Sequence, residues 1–503
     1  MGFRSRAGTS HGGGLRVALV IGVAVAIAAA SGWASPLGAS GDTSPPKVKS
    51  GATPHRSAAT NGARVGIATS GATKIGFCGG DDWEPETTAA PDGLHVYVVW
   101  THFPGDPSCD PASGNANRVY IRASSDGGQT FAPAHVVANR IGGVDYPQQV
   151  DNVVTVDPLS GTVYVSFLAY GLGGSKTDVA VARSTDFGAH FSAVKINGPL
   201  CANCDHPWTI AYGPNVYTAY AHGSEHFLSR SSDGGRSWIE VRVLKADRVA
   251  FPEGAVLDAH HNAYFAWGDC QTGSCKGKEA GRYRVSRTAA GSSKTTFSDV
   301  ATAPGGPTCP YSPSCGFAYF GIQDDIAIDS AGTLYVVWQD GQDHTTAGSP
   351  PIVQLSRSTD HGKTWTYVGR VDDKTATGCA ASECYALFPR VEGGAAGQIA
   401  AMWMDDRLGL PVDHRNGWNV WLRTSVNGGT SWTGPSRRVS TFDPPRVQSE
   451  PNGFRFPYGD FEGIDLLTTS GGSTQAVMTW GEGIDYTGGA ANPGAVVYRR
   501  VAF

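Results

Sequence analysis

Acidic and aromatic residues recur at the openings of strand-like runs along this chain, and their types allow chemistry. Asp82 and Glu84 open the first run, Asp205 the third, Glu253 the fourth, Asp324 the fifth and Asp460 the seventh, with Arg390 opening the sixth and Tyr458 beside Asp460. Carboxyl groups gathered on one rim can serve glycoside chemistry, as acid and base or nucleophile, or can hold a cation. Taken singly, each can equally cap a strand or bind water. Other chemistries lack their signatures. The fourteen His show no metal-binding spacing such as HExxH. Cys201-x-x-Cys204 has no second CxxC to complete a zinc site. No Gly-x-Ser-x-Gly elbow and no phosphate cradle is present, and no cofactor is expected; a structural Ca²⁺ is not readable from sequence.

The elements that must position these residues are repeated. Five stretches share Ser-x-Asp/Asn-x-Gly-x-x-aromatic: Ser124 to Phe131, Ser184 to Phe191, Ser231 to Trp238, Ser358 to Trp365 and Ser425 to Trp432. The Ser and Asp side chains can bond nearby backbone N–H groups, Gly supplies φ > 0, and the aromatic can tuck beneath the turn. Each follows a strand-like run, so each predicts a hairpin turn. Thr288 to Phe297 reads as a decayed sixth copy that has lost its Asp. Arg183, Arg230, Arg287 and Arg357 precede this turn so regularly that they read as structural ties between units. A second series has strands ending in an aromatic, at Trp100, Phe167, Tyr220, Trp267, Trp338, Trp403 and Trp480. Serial repeats of this kind indicate a repeat architecture.

The turn pattern resembles the Asp-box, or bacterial neuraminidase repeat, of the sialidase superfamily and other β-propellers. The expected fold is therefore all-β: a β-propeller of four-stranded antiparallel blades, with seven blades favoured and six as the alternative. The seventh unit lacks an outer strand, so Arg64 to Ile67 or Lys74 to Phe77 is expected to close it and remove a free sheet edge. The resemblance also implies roles. Tyr458, in Phe456 to Gly463, looks like the sialidase tyrosine nucleophile, and Glu253, in Phe251 to Asp258, like its activating glutamate. Arg390 matches one carboxylate-binding arginine. Asp82-Trp83-Glu84-Pro85 stands where sialidases carry another, and Trp267-Gly268-Asp269 where they carry the next. A sialic-acid carboxylate would meet acids there, so a neutral or cationic sugar fits better. Tyr458 and Glu253 are thus the catalytic candidates, and Arg390, Asp82, Glu84, Asp205, Asp324 and Asp460 the substrate-binding ones. The favoured expectation is an exported sialidase-like glycoside hydrolase; the alternative is a non-catalytic propeller that binds a glycan, protein or cell-wall component.

The remainder of the chain fits export. Residues 1–34, with Arg4, Arg6 and Arg16 ahead of an apolar run from Val17 to Ala30, read as a signal peptide, and 35–73 as a Ser/Thr/Pro/Gly linker. The propeller is expected over 74–503. Ten cysteines allow five local bridges: Cys78–Cys109, Cys201–Cys204, Cys270–Cys275, Cys309–Cys315 and Cys379–Cys384. The net charge of −5 and the lack of a basic stripe argue against nucleic acid as a partner. A secreted or cell-surface monomer is expected, acting on a glycan or cell-surface polymer and free of the membrane once its signal is cleaved. Asp405-Asp406-Arg407 reads as a surface ion pair.

Overall fold

The computed structural model describes residues 71–76, 81–103, 116–170, 176–245, 250–270, 280–305, 322–341, 348–374, 379, 384–409, 417–440, 462–483 and 494–503, all within the unit Pro45–Phe503. Seven antiparallel sheets follow one another along the chain. Their innermost strands are Asp81–Ala89, Gln148–Val156, Asp205–Tyr212, Ala250–Leu257, Asp324–Ile328, Ala386–Gly393 and Gly463–Thr468. Each packs against the inner strands of the sheets before and after it, and the last returns to the first. The result is a seven-bladed β-propeller, as the repeats predict; six blades is excluded. Six blades run inner to outer in chain order. The seventh is closed by Thr73–Lys74, which pairs with Gly494–Ala502 opposite Tyr498 and Val497. That strand overlaps the predicted Lys74 to Phe77 segment. Blade two carries two extra short strands, Arg140–Ile141 and Val144–Asp145, on its outer edge.

The Ser-x-Asp turns behave as predicted. Ser231 Oγ donates to Asp233 Oδ1 and accepts from the Gly235 N–H, while Asp233 Oδ1 takes the Arg236 and Ser237 N–H groups. The same bonds recur at Asp126 and Asp360. At Asp126 these donors outweigh partial burial and hold the carboxyl down at about 2.

The turn glycines also fasten neighbouring blades. Each turn sits over a buried tyrosine from the second strand of the preceding blade, or from the third strand in blade seven. A Cβ on Gly128 would lie 2.0 Å from the Tyr498 hydroxyl, and one on Gly235 3.0 Å from the Tyr164 ring. Gly188 meets Tyr97, Gly362 meets Tyr264, and Gly428 meets Tyr335 in the same way. The decayed copy keeps this contact, since Tyr217 Oη accepts the Gly291 N–H at 3.1 Å. Arginines add to it: Arg230 bonds the Gly291 carbonyl, Arg500 the Gly127 carbonyl and Arg357 the Thr430 hydroxyl. Of the recurrent arginines, Arg230 and Arg357 tie neighbouring blades as expected, whereas Arg287 bonds and covers Tyr264 within its own blade.

Two predicted bridges, Cys201–Cys204 and Cys379–Cys384, are formed. Cys270 is also disulfide-bonded; Cys275, Cys78, Cys109, Cys309 and Cys315 lie outside the described residues, as do 1–70. Among the described residues no helix is long and apolar enough to cross a membrane. One expectation is corrected. Arg407 is 2 % exposed, not on the surface. It grips Asp405 and Asp373 and lies 3.9 Å over the Trp421 ring, because Asp373 arrives from blade five to complete the pair.

Substituting Gly128 tests the fastening. Gly128→Ala should cost more than Gly223→Ala, although both sit at positive φ (74° and 57°) and only Gly223 faces open space. The left-handed backbone alone costs about 1–2 kcal/mol, and the clash with Tyr498 adds about 1–3 kcal/mol. Urea denaturation midpoints decide; equal losses would show that the tyrosine contact contributes nothing.

Candidate functional site

Four inner strands carry a β-bulge at the same height. Two residues stand opposite one: Glu84-Pro85 face Trp100, Asp151-Asn152 face Phe167, His206-Pro207 face Tyr220, and Phe388-Pro389 face Trp403. In blade four Glu253 is the extra residue between Pro252 and Gly254. The first residue of each pair is left-handed, with φ of 57° at Glu84, 55° at Asp151, 53° at His206 and 54° at Phe388. Proline suits the second position because an unpaired bulge residue owes the ladder no N–H. Trp100, Phe167, Tyr220 and Trp403, four of the seven strand-end aromatics picked out from the sequence, therefore mark bulges.

The bulge re-aims the residues beyond it. In an unbroken strand Glu84 and Glu86 would share a face. Here the Glu84 carboxylate turns to blade two, where Oε2 accepts the Asp151 N–H at 2.9 Å, while the Thr101 hydroxyl of its own blade donates to it at 3.3 Å. Glu86, by contrast, lines an axial cavity of about 420 Å³. So do Asp325, Arg390, Glu392, Glu462 and Asp465. Among the described residues Arg390 is the cavity's one cationic side chain.

Arg390 is 3 % exposed. Its Nη1 donates to the Glu253 carbonyl at 2.8 Å, and its guanidinium lies 5.2 Å from the Trp208 ring. Burial alone would lower its pKa, but Asp325, Glu86, Glu253 and Glu462 together raise it. The acids respond in turn. Burial lifts Glu86 to about 8, with Arg390 pulling down and Asp325 pushing up. Asp325 rises to about 6, also through burial, while Arg390 and the Val391 and Ile326 N–H groups hold it back. Asp324 and Glu462 are pushed well above the carboxylate range, again by burial first. Neither carboxyl oxygen of Asp324 has a hydrogen-bond partner among the described residues. With no donor to stabilise a charge, burial disfavours its ionised form.

The structure brings three predicted site residues together: Glu253, Asp324 and Arg390. Neither Glu253 nor Asp324 lines the cavity; both precede its lining residues in their strands and are buried, at 2 % and 1 % exposure. Three others go elsewhere. Asp82 is fully buried inside blade one, with Oδ1 2.7 Å from His102 Nδ1. Glu84 joins blades one and two through its bonds to Thr101 and Asp151. Asp205 is half-buried and acts, with Asp151, on Tyr170, whose pKa burial and these acids raise. Tyr458 and Asp460 lie outside the described residues. Two arginines stand on the third strand of blade four, away from the sialidase-like positions. Arg284 and Arg282 reach Asp269 at 2.6 and 3.0 Å and are occupied by it. Glu392 and Asp465 were not foreseen. Glu392 is two residues beyond Arg390 and thus on its face, a signal that strand alternation could have supplied; Asp465 had none.

No family model matches the sequence, and no curated protein does. Among solved structures the chain is similar to the Hadza microbial sialidase Hz136 at 13 % identity and a TM-score of 0.43, over 84 % of this chain and 66 % of that one. It is also similar to the intramolecular trans-sialidase from Ruminococcus gnavus, at 12 % identity and a TM-score of 0.41, over 88 % of this chain and 98 % of that one. A polysaccharide lyase, the PL25 ulvan lyase, matches at 10 % identity and a TM-score of 0.45, over 86 % of this chain and 96 % of that one. The functional reading rests on this chain's own residues.

The acid layer sets a pH dependence. A raised folded-state pKa means that the native chain holds more protons than the unfolded one between about 4.5 and 8 for Glu86. Stability is then fullest below the unfolded value and falls as pH rises through that window, by at most about 1.4 kcal/mol per unit for one proton. Buried Lys374, lowered to about 8 by burial, works in the opposite sense above pH 8. Urea midpoints should drop from pH 5 to pH 8, and Glu86→Gln should flatten that slope. A slope unchanged in the variant would remove Glu86 from this role.

Proposed function

We propose that the chain is a sialidase-like, glycan-acting propeller hydrolase, working at the end of the axial channel where the inner strands begin. The observation that carries this is the grouping of Glu253 and Asp324 against Arg390, with the Asp324 carboxyl raised by burial and by the neighbouring acids. A neutral carboxylic acid next to a second carboxyl group is what glycoside cleavage requires. In this reading Asp324 gives its proton to the leaving-group oxygen. Glu253 takes the proton of the attacking hydroxyl, which is that of Tyr458 by the resemblance. Arg390 fixes the Glu253 backbone and balances the acids.

One arginine among so many carboxyl groups favours a neutral or cationic sugar over a carboxylate-bearing one. Export to the cell exterior, with a cell-surface or environmental glycan as partner, belongs to the same proposal. The paired cysteines support it, since disulfides persist outside the cytoplasm.

A panel of aryl glycosides tests the proposal. The full chain should turn over neutral or amino-sugar glycosides and refuse sialosides. Asp324→Asn should lower kcat roughly 10²–10⁴-fold on poor leaving groups and far less on activated nitrophenyl ones. Tyr458→Phe should abolish turnover. An inert panel, or turnover indifferent to both substitutions, would leave a binding propeller as the better description.

A further inference from the structure

The cavity beyond the acid layer lies on the other side from Glu253 and Asp324. It is lined by the second halves of the inner strands and reaches the strand turns at Pro91, Pro158 and Ala259. Val153, Val156, Ile210, Val256, Ile326 and Ile464 give it an aliphatic stripe among threonines, most of its carboxyl groups stand at the inner end, and Asp258 lies at the turn end.

The acids at that end differ in one respect. Asp325 is satisfied by the Val391 and Ile326 N–H groups, and Asp465 by Ala89 and Leu466 N–H and the Thr88 hydroxyl. Glu86 and Glu462 are not. Glu86 Oε1 and both carboxyl oxygens of Glu462 have no hydrogen-bond partner among the described residues, although the two residues are only 6 % and 1 % exposed. They stand on the adjoining inner ends of blades one and seven. A buried, unsatisfied polar oxygen costs about 1–3 kcal/mol, so three together call for a ligand that supplies donors.

We infer that this cavity binds a linear alkylammonium ion, its head group between Glu86 and Glu462 and its chain along the apolar wall. An ammonium brings three N–H donors to three orphaned oxygens. Its charge opposes the carboxylate excess over Arg390. A metal ion is the poorer fit, because the described residues contain no group of three or more His, Cys, Asp or Glu side chains placed to hold one. The volume, about 420 Å³, is within the range of small-molecule sites. Because burial lifts Glu86 to about 8 and raises Glu462 as well, binding of a cation beside them expels protons near neutral pH. The site is separate from the proposed catalytic end and stands or falls without it.

Calorimetric titration of the full chain with n-hexylammonium at pH 7, in phosphate and in Tris, reads the prediction. Saturable one-to-one binding is expected, with an apparent enthalpy that differs between the buffers because protons are released. 1-Hexanol, equal in length but uncharged, should bind at least tenfold more weakly. Glu462→Gln should weaken hexylammonium at least tenfold. Ile210→Trp, which fills the cavity without touching an acid, should do the same and serves where Glu462→Gln does not fold. Equal binding of hexanol and hexylammonium, unchanged affinity in the folded variants, or no binding at millimolar concentration would each overturn the inference. Glycoside turnover is read separately, so either result leaves the other intact.

Discussion

A four-stranded blade has two apolar faces and can bury neither alone. Its neighbours must cover both, and here the contact is made by a tyrosine that reaches beneath the glycine turn of the next blade. Tyr97, Tyr164, Tyr217, Tyr264, Tyr335 and Tyr498 are all 2 % exposed or less. Each needs a turn with no side chain above it, which is why the glycine and the tyrosine recur together. The turn itself is rigid because Ser and Asp side chains satisfy its backbone. Rigidity matters here: a loose turn would let adjacent sheets rotate about the axis, and the ring would not close on Thr73–Lys74. Everything at the channel depends on that ring being fixed.

The bulges turn this frame into a site. A plain strand presents alternate residues to the channel; an extra residue breaks the alternation at one height in blade after blade. The cost is a left-handed non-glycine residue, about 1–3 kcal/mol each. That strain is held by bonds across the blades, as where Asn152 Nδ2 donates to the Glu84 carbonyl at 2.8 Å. Glu84 thus fixes the bulge geometry, and the carboxyl beyond it, Glu86, is delivered to the axis. A residue that looks like a binding group is instead part of the support for one that is not yet bonded.

This division explains what was legible in the sequence. The fold was, because Ser-x-Asp-x-Gly-x-x-aromatic is a local motif whose bonds span four residues and whose copies can be counted. Even the decayed copy was recognisable, since it keeps its closing aromatic, Phe297, although a side chain at Gly291 would meet open space. The site was legible only as far as the strands that open with polar residues. Which of Asp82, Glu84 and Glu86 meets the axis depends on a bulge, and the bulge is decided by Trp100 on the next strand. The partners of Arg390 come from Glu86, Glu253, Asp325 and Glu462, far apart in the chain, so no spacing announces them. Arg407 was misread for the same reason, its Asp373 partner being supplied by another blade.

The charge at the axis arises from the same geometry. A guanidinium buried to 3 % exposure is tolerable only among opposite charges, and Arg390 has more acids around it than one cation can neutralise. The surplus must either be protonated or be met by something from outside. Burial pushes the surplus toward the neutral form: it raises Asp324, Glu86 and Glu462 against the pull of Arg390. At the end where the inner strands begin, such a proton is available for transfer to a leaving group. At the opposite end it can be exchanged for a cation. One buried arginine, set into a ring of acids by the bulges, therefore gives the two ends of a single channel different chemistry.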